Sequence, residues 1–121
     1  MQTYGEQFDA TPASVGQARS AVGAWLEAAG CTADCVANAV LLVSELATNA
    51  VVHARSSFTV AVVQADSSIT VEVTDASPGE VDHRGPDASG GHGLHIVASV
   101  ADEWGVRPTG DGKAVFFRLR C

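Results

Sequence analysis

The spacing of apolar residues changes along this chain, and the order of the changes restricts the folds that it can adopt. Apolar residues first recur at helical spacing, in two segments that together run from about residue 12 to residue 54. Alternating β-branched residues follow over 58–64 and 69–75, and the turn signal between them indicates a hairpin. Because grouped helices precede hairpin-linked strands, we expect an α+β sandwich with an antiparallel or mixed sheet.

Residue types that favour helix ends bound the two helices. Thr11 caps the first helix, Pro12 takes its first position and Gly30 closes it. Thr32 opens the second helix, which ends near residue 53 or 54. The two predicted helices are therefore separated by only a short connection.

The second half of the chain begins with a stretch that has no hydrophobic period. Residues 76–91 are rich in glycine and contain two prolines, and a structureless segment of this length in a small domain is typically functional. Helical spacing returns over 93–101, and strands are predicted over 104–108 and 113–119 on either side of a hairpin signal. The predicted order is α, α, β, β, loop, α, β, β.

Length and charge exclude several classes of protein. The 121 residues fit one domain, 1–121, and suffice for a hydrophobic core. The net charge of −7 leaves no basic face, which argues against nucleic acid and against an anionic membrane surface as partners. No secretory signal or membrane-spanning stretch is evident, so we expect a cytoplasmic protein. A small anionic ligand held by backbone amides and a metal ion remains compatible with this charge.

The cysteine pattern predicts reduced thiols. The three cysteines, Cys31, Cys35 and Cys121, are odd in number and form no CxxC motif. Cys31 and Cys35 lie four residues apart at a predicted helix start, but a metal site would need further ligands close by in the sequence. We therefore expect plain thiols.

The first candidate for chemistry is a polar pair on the second helix. Glu45 and Asn49 lie four residues apart, so their side chains share one helix face. An amide oxygen is a hard ligand that suits Mg²⁺, and a carboxylate can orient or deprotonate an attacking hydroxyl. On spacing alone, a solvated polar face explains the pair as well.

Two further candidates follow in the sequence. Asp75 ends a predicted strand and is either a turn residue or an acceptor for an exocyclic amine such as that of adenine. The glycines of 90–93 lead into a helix start, where free N–H groups and the helix dipole favour an anion such as phosphate. A simple hinge is the alternative explanation of this glycine-rich segment.

The order and spacing of these clusters resemble those of the GHKL ATPase superfamily. More closely, the chain resembles the small anti-sigma-factor serine/threonine kinase-like ATP-binding proteins of bacteria. The resemblance runs from about residue 8 to residue 119. The segments that carry it are 42–54, similar to the N box; 73–79, similar to the G1 box; 90–97, similar to the G2 box; and 102–105 and 112–117, similar to the C-terminal pattern.

The resemblance implies a Bergerat-type ATP-binding fold, which is a two-layer α/β sandwich with a mostly antiparallel mixed sheet. It also implies a role for each candidate residue. Asn49 would coordinate the Mg²⁺ that bridges the phosphates of ATP, and Glu45 would be the general base or a water-orienting carboxylate. Asp75 would accept a hydrogen bond from the adenine amino group, and Gly79 would leave space beside the base. A departure at Ala114, where many members carry threonine, is expected to weaken nucleotide binding.

The resemblance also implies a phosphate-binding loop and a lid. Gly91, Gly93 and Leu94 would offer backbone N–H groups to the phosphates, and residues 80–90 would form the ATP lid. His92 lies between these glycines, where small bacterial members often carry arginine, and it would offer less charge to a γ-phosphate.

The implied function is that of a Mg-ATP-binding regulator that phosphorylates serine or threonine of a partner protein. The implied partners are a sigma factor, an anti-anti-sigma protein or both, and a homodimer is the implied assembly. The alternative is a non-catalytic ATP-sensing module that sequesters its partner. A domain that no longer binds nucleotide is a third hypothesis.

Overall fold

The structure of the chain is a computed structural model, which describes residues 1–76, 97–110 and 112–121. Residues 97–100 are helical, and Ala50–Ala54 form a π-helical turn. The longer elements are β1 (Gln2–Phe8), α1 (Pro12–Ala28), α2 (Ala33–Asn49), β2 (Phe58–Ala65), β3 (Ser68–Asp75), β4 (Glu103–Pro108) and β5 (Lys113–Arg120).

The described strands form one five-stranded sheet in the order β1-β2-β3-β5-β4. Every neighbouring pair in it is antiparallel. The described sheet is therefore wholly antiparallel and contains no parallel pair of the kind that a mixed sheet would have. Strand β1 is an addition to the predicted order. Its side chains are mostly exposed and only Phe8 is buried, so the strand carries no alternating apolar pattern by which the sequence could reveal it.

The helix ends confirm the predicted caps. Thr11 Oγ1 accepts a hydrogen bond from the Ser14 N–H at 3.3 Å, and Thr32 Oγ1 accepts one from the Cys35 N–H at 3.2 Å. Gly30 has a φ of +86°, a left-handed conformation that glycine adopts without steric cost. The chain can therefore reverse at once between α1 and α2.

The core lies between the two helices and one face of the sheet. On β3, alternate side chains are buried, while those between them face the other side. That other side carries the ion pairs Arg107–Glu72, at 2.7 Å, and Arg118–Glu103, at 3.1 Å. One face is apolar and the other charged, which confirms the two-layer α+β sandwich. The largest fully buried side chains include Phe58, Phe117, Leu26, Leu42 and Ile69.

Helix α2 is the central apolar helix of this core. Together with its π-helical turn it spans Ala33–Ala54, and within the described residues it is the one helix long and apolar enough to cross a bilayer. Its side chains Leu42, Val43 and Leu46 are buried in the core. Packing against the sheet therefore accounts for its apolar composition.

The structure corrects the prediction for the cysteines. Cys35 and Cys121 form a disulfide, with Cα atoms 5.4 Å apart, which lies within the usual range for such bonds. Cys31 remains a free thiol. The expectation of three reduced thiols was wrong for the bonded pair, because 86 residues separate the two cysteines and only the fold brings them together.

Candidate functional site

The end of α2 presents the predicted polar pair. Glu45 and Asn49 lie one helical turn apart and both are half-buried. Thr48, between them, donates its hydroxyl to the Ser44 carbonyl at 2.7 Å. A half-buried carboxylate and amide on one helix face can contact a ligand while the rest of the helix stays in the core.

The chain changes its helical geometry directly after Asn49. The π-helical turn Ala50–Ala54 ends at Arg55, which adopts a left-handed conformation with a φ of 53°. Single π-helical turns often occur at functional sites. Here the turn and the left-handed residue end the helical segment three residues before β2 begins at Phe58.

Ser56 links the end of the helical segment to the end of β3. Its Oγ accepts a hydrogen bond from the N–H of Ala76 at 3.0 Å. Ala76 directly follows Asp75, the second predicted site residue. One serine side chain therefore holds the segment after α2 close to the strand end that carries Asp75, the candidate acceptor for the adenine amino group.

Asp75 is a buried carboxylate with a cationic partner. It ends β3 with 8% of its surface exposed. Lys113 Nζ donates to both of its oxygens, at 3.1 Å to Oδ1 and 2.9 Å to Oδ2. A carboxylate can be kept in this position because the ion pair offsets the cost of burying its charge.

The sequence prediction assigned no role to Lys113 and noted Ala114 only as the position where many family members carry threonine. Lys113 is the register partner of Asp75, whereas Ala114 is the partner of Thr74. Side chains alternate along a strand, so Ala114 faces the side of the sheet opposite Asp75. The residue beside Asp75 is thus a lysine.

The hairpin before β5 approaches Asp75 closely. A Cβ atom at Gly112 would collide with the Asp75 carbonyl oxygen and lie 2.7 Å from the Ala76 Cα. The Gly112 N–H donates to Thr109 Oγ1 at 3.0 Å, and the Thr109 N–H donates to the Gly112 carbonyl at 2.8 Å. Glycine is required here because any side chain would push the two strand ends apart.

Space next to this strand end is open. A cleft of about 320 Å³ borders Asp75 and is lined by hydroxyl side chains that include Thr74 and Thr109. The end of β3 therefore adjoins solvent as well as the core.

The remaining predicted site residues lie outside the described residues. This holds for the lid, 80–90, and for the other predicted nucleotide contacts. Those contacts are Gly79, Gly91, His92, Gly93 and Leu94. The described part of the site consists of Glu45 and Asn49 at the end of α2 and of Asp75 at the end of β3.

The described residues have donor types that fit a Mg-nucleotide. Asn49 offers a hard amide oxygen from a half-buried position, which suits Mg²⁺. Asp75 offers carboxylate oxygens, which accept hydrogen bonds, next to the ammonium group of Lys113.

Comparison with known proteins gives a consistent result. The sequence pattern of the histidine kinase-like ATPase domain matches residues 8–119. Among solved structures, the RsbU and RsbW domains of Rv1364c from Mycobacterium tuberculosis are similar, with a TM-score of 0.80 and 21% identity. The match covers 99% of this chain and 32% of that chain, and at this identity it concerns the fold. No significant match was found among curated proteins.

Proposed function

The chain belongs to the histidine kinase-like ATPase family, and on that premise we propose that it is a Mg-ATP-binding regulator that phosphorylates a serine or threonine of a partner protein. The observation that carries this proposal is the extent of the family match, residues 8–119. This range includes the three segments, 42–54, 73–79 and 90–97, that resemble the family's nucleotide-binding boxes. The fold shared with a structure that contains an RsbW domain supports an anti-sigma type of regulator.

We further propose the setting in which this activity operates. The partner is a sigma factor, an anti-anti-sigma protein or both, and the compartment is the cytoplasm. A homodimer is the proposed assembly.

The chemistry proposed for the end of α2 depends on position and charge. Asn49 would hold Mg²⁺, which when bound supplies the positive charge that an acidic chain lacks for a triphosphate. Glu45, one turn earlier, would accept the proton of the attacking hydroxyl or orient it. Phosphoryl transfer requires little more of a protein than this positioning and charge stabilisation.

The chemistry proposed for the end of β3 is recognition of the base. Asp75 would accept a hydrogen bond from the adenine amino group while it remains paired with Lys113. Lys113 carries three N–H donors, and two contacts to Asp75 leave donor capacity at the same position. Adenine presents an amino group next to a ring-nitrogen acceptor, which an adjacent carboxylate and ammonium complement.

Calorimetry with Mg-ATP and Mg-ADP tests nucleotide binding. Asp75→Asn should lower affinity by about tenfold or more, because a hydrogen bond to a charged group contributes ~1.5–3 kcal/mol. Glu72→Gln is the matched control, since Glu72 lies on β3 but faces the other side of the sheet, where it pairs with Arg107. If the wild-type chain shows no saturable binding, the proposal is wrong and the domain has lost nucleotide binding.

Label transfer from radioactive ATP to a candidate partner domain tests the kinase activity separately. Glu45→Gln keeps the side-chain shape and should retain nucleotide binding, while transfer falls by about 10²-fold or more. A wild-type chain that binds ATP and labels no partner would contradict the kinase proposal. The alternative, a non-catalytic ATP-sensing module that sequesters a sigma factor or another regulatory partner, would then hold.

A further inference from the structure

Three cysteines meet at the end of the molecule where α2 begins. Cys31 precedes α2, Cys35 lies in its first turn, and Cys121 follows β5. Their three Sγ atoms all lie within 4.8 Å of one another. Cys35 is buried, while Cys31 and Cys121 are half-buried. Solvent can therefore reach two of the three cysteines in the cluster.

One pair in this cluster is oxidised and the third member is free. Cys35 and Cys121 form the disulfide, and Cys31 is a thiol within reach of it. A thiolate that lies close to a disulfide can attack one of its sulfurs and replace the other. Disulfides in cytoplasmic proteins are usually transient, catalytic or redox-sensing, so the compartment proposed above also favours a reactive role over a static one.

The neighbours of Cys31 restrain its reactivity without blocking it. Burial raises the pKa of the Cys31 thiol, an effect that outweighs the stabilising hydrogen bond from the side chain of Gln64. Gln64 Nε2 lies 3.8 Å from Cys31 Sγ and 3.2 Å from the Ala29 carbonyl oxygen. The thiol is therefore held in place and stays protonated at neutral pH, so the thiolate forms only in a minor fraction of molecules.

We propose that Cys31, Cys35 and Cys121 form a thiol–disulfide exchange site in which Cys31 opens the Cys35–Cys121 bond. The Cys31 thiolate attacks Cys35 Sγ, a Cys31–Cys35 disulfide forms, and Cys121 leaves as a thiolate. One S–S bond forms and one breaks. The proton lost by Cys31 goes to solvent and Cys121 regains one, so no external oxidant or reductant is needed.

Burial selects Cys121 as the leaving group. Cys121 is half-buried, so solvent can stabilise its thiolate, whereas a thiolate on buried Cys35 would be desolvated. The Cys121 N–H donates to the Ser67 carbonyl oxygen at 2.7 Å, which retains the residue beside the sheet after release. The exchange is thus able to reverse.

The exchange would change how the two layers are joined. Helix α2 runs from the cluster to Asn49, and β5 runs from Lys113 to the cluster. The Cys35–Cys121 bond connects the far ends of the two elements that carry these candidate site residues. Release of Cys121 removes that covalent connection between the helix layer and the sheet.

Peptide mapping tests the exchange directly, because cleavage before aspartate places the three cysteines in three different peptides. Cleavage before aspartate places Cys31 in the peptide 9–33, Cys35 in 34–65 and Cys121 in the peptide that begins at Asp111. The full chain, purified without reductant, is incubated at neutral or alkaline pH and trapped with N-ethylmaleimide at mildly acidic pH. We expect the label to move from Cys31 to Cys121 with time, and a Cys31–Cys35 cross-link to replace the Cys35–Cys121 cross-link.

Two variants make the test independent of folding defects. Cys31→Ser should keep the Cys35–Cys121 cross-link and show no labelled peptide at any pH. Cys121→Ser should form the Cys31–Cys35 disulfide under oxidised glutathione, with an unchanged circular dichroism spectrum. A folded Cys121→Ser variant that keeps both thiols reduced would overturn the proposal.

Three other outcomes of the wild-type experiment would also overturn it. Label that stays on Cys31 at every pH means that no exchange occurs. Label on Cys35 means that attack takes place at the other sulfur. A chain that is purified with all three cysteines reduced and one zinc ion bound means that the cluster is a metal site.

Discussion

Lys113 directs its ammonium group at both carboxylate oxygens of Asp75, with Nζ 3.1 Å from Oδ1 and 2.9 Å from Oδ2. The two residues are register partners on β3 and β5, and both side chains are largely buried. Removing one partner of such a pair leaves the other charge buried without compensation. The ion pair therefore couples the position of Asp75, the candidate acceptor for the adenine amino group, to the start of β5.

A double-mutant cycle should show this coupling. Asp75→Asn and Lys113→Met should each lower the free energy of unfolding by about 2 kcal/mol, and the double variant should lose less than the sum, because a hydrogen bond to a charged group contributes ~1.5–3 kcal/mol. Urea unfolding measures all four proteins. The exposed pair Glu103–Arg118 is the control cycle and should give a coupling below about 1 kcal/mol. Equal couplings in the two cycles would contradict the burial argument.

Two glycines of the same hairpin should respond differently to substitution by alanine. Gly112→Ala should lower the free energy of unfolding by about 1–3 kcal/mol through overpacking, because its Cβ would collide with the Asp75 carbonyl oxygen. Gly110→Ala has nothing within 4 Å of its Cβ and should stay within about 0.5 kcal/mol of wild type.

Thermal unfolding followed by circular dichroism measures both variants of this hairpin. Calorimetry then shows whether Gly112→Ala also weakens Mg-ATP binding, as expected if displacement of the strand ends moves Asp75. A Gly112→Ala variant as stable as Gly110→Ala would show that the hairpin can shift at no cost.

Substitution of Asn49 should make nucleotide binding independent of magnesium. Asn49→Ala should reduce ATP affinity by about tenfold in the presence of Mg²⁺ and have little effect in EDTA, since the amide oxygen acts through the ion. Asn38→Ala is the matched control, because Asn38 is exposed on the same helix. An equal loss of affinity in EDTA would mean that Asn49 contacts the nucleotide directly or supports the fold.

Local patterns predicted most of the elements because hydrophobic period and burial agree in them. The prediction of helices over 12–30 and from Thr32 to about residue 54 corresponds to α1, α2 and the π-helical turn. The strands β2 and β3 begin and end within one residue of their predictions. Strand β1 escaped prediction because most of its side chains face solvent, so its place in the sheet depends on pairing with β2 and not on its own pattern.

Contacts between distant segments could not be predicted from the sequence. Asp75 was identified from its own position at a strand end, but its partner Lys113 depends on the register between β3 and β5. The Cys35–Cys121 disulfide could not be predicted for the same reason. A separation of 86 residues between Cys35 and Cys121 leaves no local signal.

Reduction of the Cys35–Cys121 bond should lower the free energy of unfolding by about 4.6 kcal/mol, as the chain-entropy argument gives for a link across 86 residues. Urea unfolding with and without dithiothreitol measures the effect. Cys31→Ser should be at least as sensitive to the reductant as wild type, because it keeps the Cys35–Cys121 bond and has no thiol that could exchange with it. The double variant Cys35→Ala/Cys121→Ala should not respond to the reductant at all. If wild type and this double variant unfold at the same urea concentration without reductant, the bond does not stabilise the fold.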